Sequence, residues 1–246
     1  MCGRYTNAAS IDDLFTEFEV DEMVGEAPPP SWNIAPTDPV QLIAERPRKG
    51  SDEITRQLRT ARWGLVPGWS TDAKGGARMI NARSETITVK PAFRKAAADR
   101  RCLIPAQGYY EWQPVAGGKV PYYLHQPDEP LLAFAGLFEL WRDPAKADDD
   151  PQRWLWTTTV ITRPATDLLG EIHDRCPVLV PRDLRAAWLD CSASDNRVAE
   201  RLLAACPDPV LVPQQVGPAV GNVRNNGPEL IGPVTDAPLT LFHEDN

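Results

Sequence analysis

The residue with the most chemistry to offer in this chain of 246 residues is the cysteine at position 2. Cys2 is small enough for ordinary processing to trim Met1. The mature chain would then carry a free α-amine and a thiol on one residue. This 1,2-aminothiol adds to an aldehyde through its amine to give a Schiff base, and its thiol then closes a thiazolidine ring. An α-amine titrates at roughly 7.7–8, against about 10.4 for lysine, so an appreciable part of it is nucleophilic at neutral pH. Three polar residues stand out elsewhere. Asn81 interrupts a strand-like stretch at 79–87, Glu111 sits between Tyr110 and Trp112, and His173 lies between a helical stretch and an apolar strand. Taken singly, each has a plain structural reading: a satisfied core amide, an edge-strand acid turned to water, and a helix-capping histidine.

The elements that must position these residues can be read from pattern. Ser10 caps a helix with apolar residues at Ile11, Leu14, Phe15 and Phe18. Further helices are expected at 91–99, 164–173, 182–189 and 194–206, strands at 40–44, 62–69, 101–106, 108–112, 122–124 and 154–161, and a strand pair at 131–141. Pro47 and Gly50 in the charged stretch 45–58 suggest a hairpin loop. The stretch 142–153, with Asp148, Asp149 and Asp150, reads as a solvated surface insertion. Nothing resembles an interdomain linker. The expected class is α+β, one compact domain over 1–234 with short strands and peripheral helices, followed by a flexible tail at 235–246.

Composition narrows the function. Hydrophobic residues at 42% and charged residues at 24% are ordinary globular values. There is no apolar run of membrane-spanning length and no signal peptide, so a soluble cytoplasmic protein is expected, nucleoid-associated if bacterial. Five cysteines without a C-x-x-C pair argue against a disulfide framework and a zinc site, and neither metal nor cofactor is expected. The net charge of −8 disfavours nucleic acid as a general partner, yet binding depends on a local patch. Arginine, which pairs bidentately with phosphate, outnumbers lysine 20 to 6.

Seven stretches, in order, carry a resemblance: Cys2-Gly3-Arg4-Tyr5, Trp32-Asn33-Ile34-Ala35-Pro36, Trp63 through Trp69, Asn81 through Thr86, Arg101-Cys102-Leu103-Ile104-Pro105, Gly108-Tyr109-Tyr110-Glu111-Trp112 and His173-Asp174-Arg175-Cys176-Pro177. With Gly221 through Leu230, they make the chain closely similar to the SRAP family of abasic-site processing proteins. The similarity runs from residue 2 to about 234. It implies a β-rich, barrel-like core, and a thiazolidine between Cys2 and the ring-opened sugar of an abasic site in single-stranded DNA. Asn81, Glu111 and His173 would surround that cysteine. One departure is Cys176, where the family usually has methionine.

The residues suit the implied roles. His173 can move a proton at the sugar ring oxygen and so open the hemiacetal to the C1′ aldehyde. Glu111, if buried, would keep its proton to higher pH and act as the acid that expels water from the carbinolamine. Asn81 offers a donor and an acceptor without titrating. A Schiff base at C1′ also acidifies C2′, so strand nicking by β-elimination is a side activity to expect, and the resemblance adds autocatalytic removal of Met1. Arg4, Arg83 and Arg175 lie one or two residues from these groups and would clamp phosphates, Lys74 and Arg78 would extend the track, and Trp69 would stack on a base. The expected partner is single-stranded DNA with abasic sites, bound by a monomer without membrane association. Two competing readings are an N-terminal-nucleophile peptidase and a noncatalytic single-strand binder.

Overall fold

A computed structural model describes residues 2–192 and 194–234, so the tail expected at 235–246 lies outside the described residues. In chain order the strands and helices are β1 (Tyr5–Asn7), α1 (Ile11–Phe18), β2 (Glu22–Val24), β3 (Ser31–Ile34), β4 (Pro39–Pro47), β5 (Ile54–Trp63), β6 (Asn81–Arg83), α2 (Pro91–Asp99) and β7 (Arg101–Ala106). They continue with β8 (Gly108–Val115), β9 (Gly118–His125), β10 (Leu132–Arg142), β11 (Trp154–Pro164), α3 (Asp167–Ile172), β12 (Arg175–Pro177), α4 (Arg182–Leu189), α5 (Asn196–Ala205) and β13 (Val212–Gln215).

Five strands close on themselves. β11 pairs antiparallel with β10 and parallel with β5, and the ladder continues from β5 to β4, from β4 to β7 and from β7 back to β10. The expected barrel-like core is therefore present. Closure removes free edges from these strands, which would otherwise invite pairing with other chains. Alternation along the strands separates two apolar faces, as the period of two requires. Ile43, Leu58, Leu103, Leu137 and Ile161 pack with Leu14, Phe18, Trp188 and Leu203 of α1, α4 and α5. The neighbouring positions Leu42, Ala44, Trp63, Cys102, Ile104, Phe134 and Val160 face the other way, toward Cys2, Tyr5 and Tyr109.

A second sheet, ordered β13-β9-β8-β1-β3, supplies those last residues. Tyr5 joins the two sheets through edge-on contacts with Trp63 and Phe134, at centroid separations of 5.1 and 5.8 Å. Such pairs contribute about 0.5–1.5 kcal/mol each beyond their burial.

Three expectations need correction. The stretch 45–58 is mostly strand: β4 and β5 form one long antiparallel hairpin from Pro39↔Arg62 to Pro47↔Ile54, leaving 48–53 as its loop. Cross-strand ion pairs such as Arg56 with Glu45 explain why charge there does not mean loop. The stretch 62–69 is not a strand beyond Trp63, because the chain turns at Gly64, with φ of 126°. The 131–141 stretch is one continuous strand, β10, and not a pair.

Gly64 is required sterically. A Cβ there would lie 2.5 Å from the Gly76 carbonyl oxygen, and a Cβ on Gly76 would lie 2.5 Å from the Gly64 oxygen. This contact presses the 74–78 turn onto the end of β5, where Leu65 N–H bonds Met79 O at 3.1 Å and Trp63 Nε1 bonds Ile80 O at 2.9 Å. It thereby fixes the residues just before Asn81. Gly64→Ala combines that clash with a left-handed φ and should lower stability by about 2–4 kcal/mol. Urea unfolding followed by tryptophan fluorescence measures the loss.

Candidate functional site

Chain termini usually lie on the surface, yet Cys2 is fully buried, at 0% exposure. The cause is β1, the interior strand between β3 and β8. Tyr5 stands opposite Tyr109 and Thr6 opposite Gly108, and Tyr110 N–H bonds Arg4 O at 2.9 Å. Extending this antiparallel register places Glu111 across from Gly3, beside Cys2. Glu111 therefore shares the inward face of β8 with Tyr109, while Tyr110 packs in the separate cluster with Tyr123, Val216 and Val220. An acid turned to water is thus ruled out: Glu111 is 5% exposed, on an interior strand.

Asn81 opens β6, which runs parallel to β11 with Asn81 opposite Val160. Its Nδ2 donates to the Cys2 carbonyl at 2.7 Å, a contact spanning 79 residues of sequence. Its Oδ1 is buried and has no hydrogen-bond partner among the described residues. The amide therefore orients the Cys2 backbone and keeps an acceptor in reserve.

His173 follows α3 and closes its last turn, donating its own N–H to Leu169 O at 3.0 Å. The ring Nδ1 lies 3.1 Å from the Arg175 N–H and 2.8 Å from Asp174 Oδ1. The two contacts need different proton positions: Nδ1 accepts the backbone N–H when the ring proton is on Nε2, and donates to the carboxylate when Nδ1 itself carries a proton.

The electrostatics follow from burial. Desolvation raises the Glu111 carboxyl above its ordinary range, with the charge of His173 among those opposing the rise. Desolvation likewise pushes the Cys2 thiol well above its usual value, the Glu111 charge adds to this, and the Arg4 backbone N–H acts the other way. Burial thus favours the protonated form of each group. A protonated carboxyl beside a neutral thiol suits acid-assisted addition better than direct thiolate attack.

The six residues expected to hold DNA divide into three sets. Trp69, 65% exposed, and exposed Lys74 and Arg78 line one open cleft with Ser70, Thr71 and Asp72. Arg83, exposed at the end of β6, shares the Asn81 face of that strand, since Ala82 between them is buried. Arg4 is partly buried and engaged within the protein. Its Nη1 donates to Asn33 Oδ1 at 2.7 Å and Val220 O at 2.8 Å, and its guanidinium lies 5.7 Å from the Trp112 ring centre.

Arg175 departs furthest from expectation. It is buried, and its guanidinium is held bidentately by Glu85, with Nη1–Oε1 at 2.5 Å and Nη2–Oε2 at 3.0 Å, and by Thr162 O at 2.6 Å. A fork already filled by a carboxylate has no face left for a phosphate. Arg175 instead joins the segment that carries His173 to the segment that carries Asn81, across β11.

Sequence reasoning missed two contributors. Glu85 was visible only as part of a motif. Asn33 acts as a hub: besides accepting from Arg4, its Nδ2 donates to Asn225 O at 2.8 Å and Asn222 O at 3.1 Å, tying the 221–230 stretch over the N-terminus. Nothing in the spacing of Asn33 and Asn225 signals this; only their membership of two quoted motifs does. Cys176 lies in the same buried cluster as Cys2, and burial raises its thiol to about 11.

The Arg175 hydrogen bonds lower the Glu85 carboxyl from 4.5 to about 2. A depressed folded-state value means a stabilising contribution that is present above the unfolded value and lost as pH falls toward the folded one. Because Glu85 is 45% exposed, screening reduces the effect. Glu85→Gln should therefore cost about 1–2 kcal/mol at pH 7. The gap to the unsubstituted protein should narrow as pH falls from 4.5 toward 2, as read by urea midpoints across that range.

A family model described as SOS response associated peptidase (SRAP) matches residues 1–223. Abasic site processing protein YoqW of Bacillus subtilis is 36% identical over 233 residues, which cover 94% of this chain and 99% of that protein. Abasic site processing protein HMCES of Gallus gallus is 31% identical over 230 residues, covering 83% of this chain and 66% of its own. A crystal structure of a protein from Bacteroides thetaiotaomicron shares the fold, with a TM-score of 0.75 over 95% of this chain and 100% of that one, at 21% identity. A phage-related protein from Bordetella bronchiseptica superposes with a TM-score of 0.64 at 28% identity, over 87% of this chain and 94% of its own.

Proposed function

The chain belongs to the SOS response associated peptidase (SRAP) family, and on that footing we propose that it captures abasic sites in single-stranded DNA covalently through Cys2. The observation that carries this reading is the buried second residue, with Asn81 on its carbonyl and Glu111 beside it. A fold has no structural reason to enclose a reactive terminus among polar, titratable groups.

Loss of Met1 frees the Cys2 α-amine, and the buried Oδ1 of Asn81 is available to accept one of its protons. His173 transfers a proton at the sugar ring oxygen and opens the hemiacetal to the C1′ aldehyde. The amine adds to C1′ to give a carbinolamine. Glu111 in its protonated form, which burial favours, gives its proton to the hydroxyl, which leaves as water, and an iminium remains. The Cys2 sulfur then adds to C1′ and its proton passes to the Glu111 carboxylate, which restores the acid and leaves a neutral thiazolidine. Closure removes the iminium that would otherwise drive β-elimination of the 3′ phosphate, so ring formation protects the strand. Reversal uses the same acid.

Cys2→Ala should abolish the covalent adduct with an abasic oligonucleotide on a denaturing gel while noncovalent binding persists. Cys2→Ser should give an imine trapped by borohydride without a stable ring. Adduct yield unchanged in Cys2→Ala overturns the reading, as does a purified protein whose intact mass retains Met1 yet still crosslinks.

Glu111→Gln removes the acid and should slow adduct formation by about 10²–10⁴-fold. With a raised carboxyl as acid, the wild-type rate should fall as pH rises through its value, and that limb should be missing in the variant. Pre-steady-state crosslinking between about pH 5 and about pH 8 reads both effects.

A further inference from the structure

The 143–153 loop, an insertion with no role in the chemistry above, forms one wall of a second cleft that adjoins the first. Trp69, Lys74 and Arg78 line one opening, Arg62, Lys74 and Lys146 line the next, and Thr71 and Asp72 belong to both. The loop is fixed there. Trp141, at the end of β10, donates its Nε1–H to Ser70 O at 2.8 Å. Asp148, one of four acids in this loop with Asp143, Asp149 and Asp150, pairs with Arg142 and Arg153. Lys146 Nζ bonds Gln152 O at 3.0 Å, and Arg62 Nη1 bonds Ala73 O at 3.0 Å. Each wall is thus braced through main-chain oxygens, and the Trp141 bond ties one to the other.

The charge of this strip runs against that of the protein. Arg62, Lys74, Arg78 and Lys146 outnumber Asp72 and Asp143, in a chain whose net charge is −8. A local cationic strip on an acidic protein is the electrostatic footprint of a polyanion. The strip also begins beside the chemistry. Arg78 precedes Asn81 by three residues, at most about 10 Å along the chain, and Asn81 holds the Cys2 carbonyl. A strand leaving the Cys2 pocket past Arg78 meets Trp69 and Lys74, then Lys146. That order, of an aromatic platform between cations, is how single strands are tracked without base readout.

We propose that the 143–153 loop is the second wall of a path for the single-stranded DNA arm flanking the lesion, with Lys74 and Lys146 holding its phosphates. The identity of the strand rests on the capture of abasic DNA proposed above; the cationic cleft itself does not. The loop would then set how much strand beyond the lesion the protein covers.

The test uses undamaged single strands, which carry no aldehyde and so read the cleft apart from Cys2. Fluorescence anisotropy with oligonucleotides of about 5 and about 20 nucleotides, over a salt series, should show tighter binding and a steeper salt slope for the longer strand. Lys146→Glu should lose about 3–10-fold of that length-dependent gain and reduce the slope by about 0.7. Lys146→Gln, which removes the charge without reversing it, should fall between the two and covers the case in which the glutamate perturbs the loop. A wild-type protein that gains nothing from length, or a gain that survives both substitutions, overturns the proposal. Loss of the gain together with failure of the wild type to crosslink abasic DNA would uphold the cleft and remove the covalent reading instead.

Discussion

Everything in this protein depends on a chain terminus being held inside it. A free end has high conformational entropy, and ordering a residue costs on the order of 1–2 kcal/mol for the backbone alone. Here the cost is met by strand pairing on both sides of β1 and by the packing of Tyr5 against Trp63 and Phe134. The three residues of β1 are all buried, and they carry Cys2 with them into the apolar space between the two sheets. Once residue 2 is fixed, side chains from distant elements can be arranged around it, because both partners in each contact are stationary.

Two staples hold those distant elements in relation to one another. The first is the Asn33 hub, which takes the Arg4 guanidinium on one side and the carbonyls of Asn222 and Asn225 on the other, so the end of the described chain closes over its beginning. The second is the Arg175–Glu85 fork, which links the segments bearing His173 and Asn81. Both use a planar group to fix two directions at once, which a lysine could not do. Their arginines thus act on protein, and the positive surface left for a polyanion lies elsewhere, at Arg83 and along the clefts of Trp69, Lys74 and Arg78.

Burial also sets the chemistry. The closed β4-β5-β11-β10-β7 ring and the second sheet exclude water from Cys2 and Glu111, and the loss of hydration shifts both toward their protonated forms. Barrel closure, an architectural feature, is in this way the cause of an acid–base property. The same closure explains why the Cys102 thiol, pushed up to about 12 with a hydroxyl neighbour at Thr158, is an inert core side chain despite its company.

The amino-acid sequence by itself determined the local elements and the inventory of reactive groups. Ser10 caps α1 as expected, in a capping box with Asp13, and α2 and α4 begin and end where pattern put them, because a cap and helical periodicity each act within a few residues. Cys2, Asn81, Glu111 and His173 could be nominated from residue type and family motif. What only the tertiary structure decided was which face each side chain takes and which charges are free. Glu111 turns inward because β8 is an interior strand, a fact of sheet order that no local pattern encodes. The charged 45–58 stretch is strand because its acids and bases meet across the hairpin and not along it. Arg175 is occupied because Glu85, 90 residues away, folds onto it. Hydrogen bonds and ion pairs between remote residues have no periodicity to read, so their partners exist only once the chain has closed.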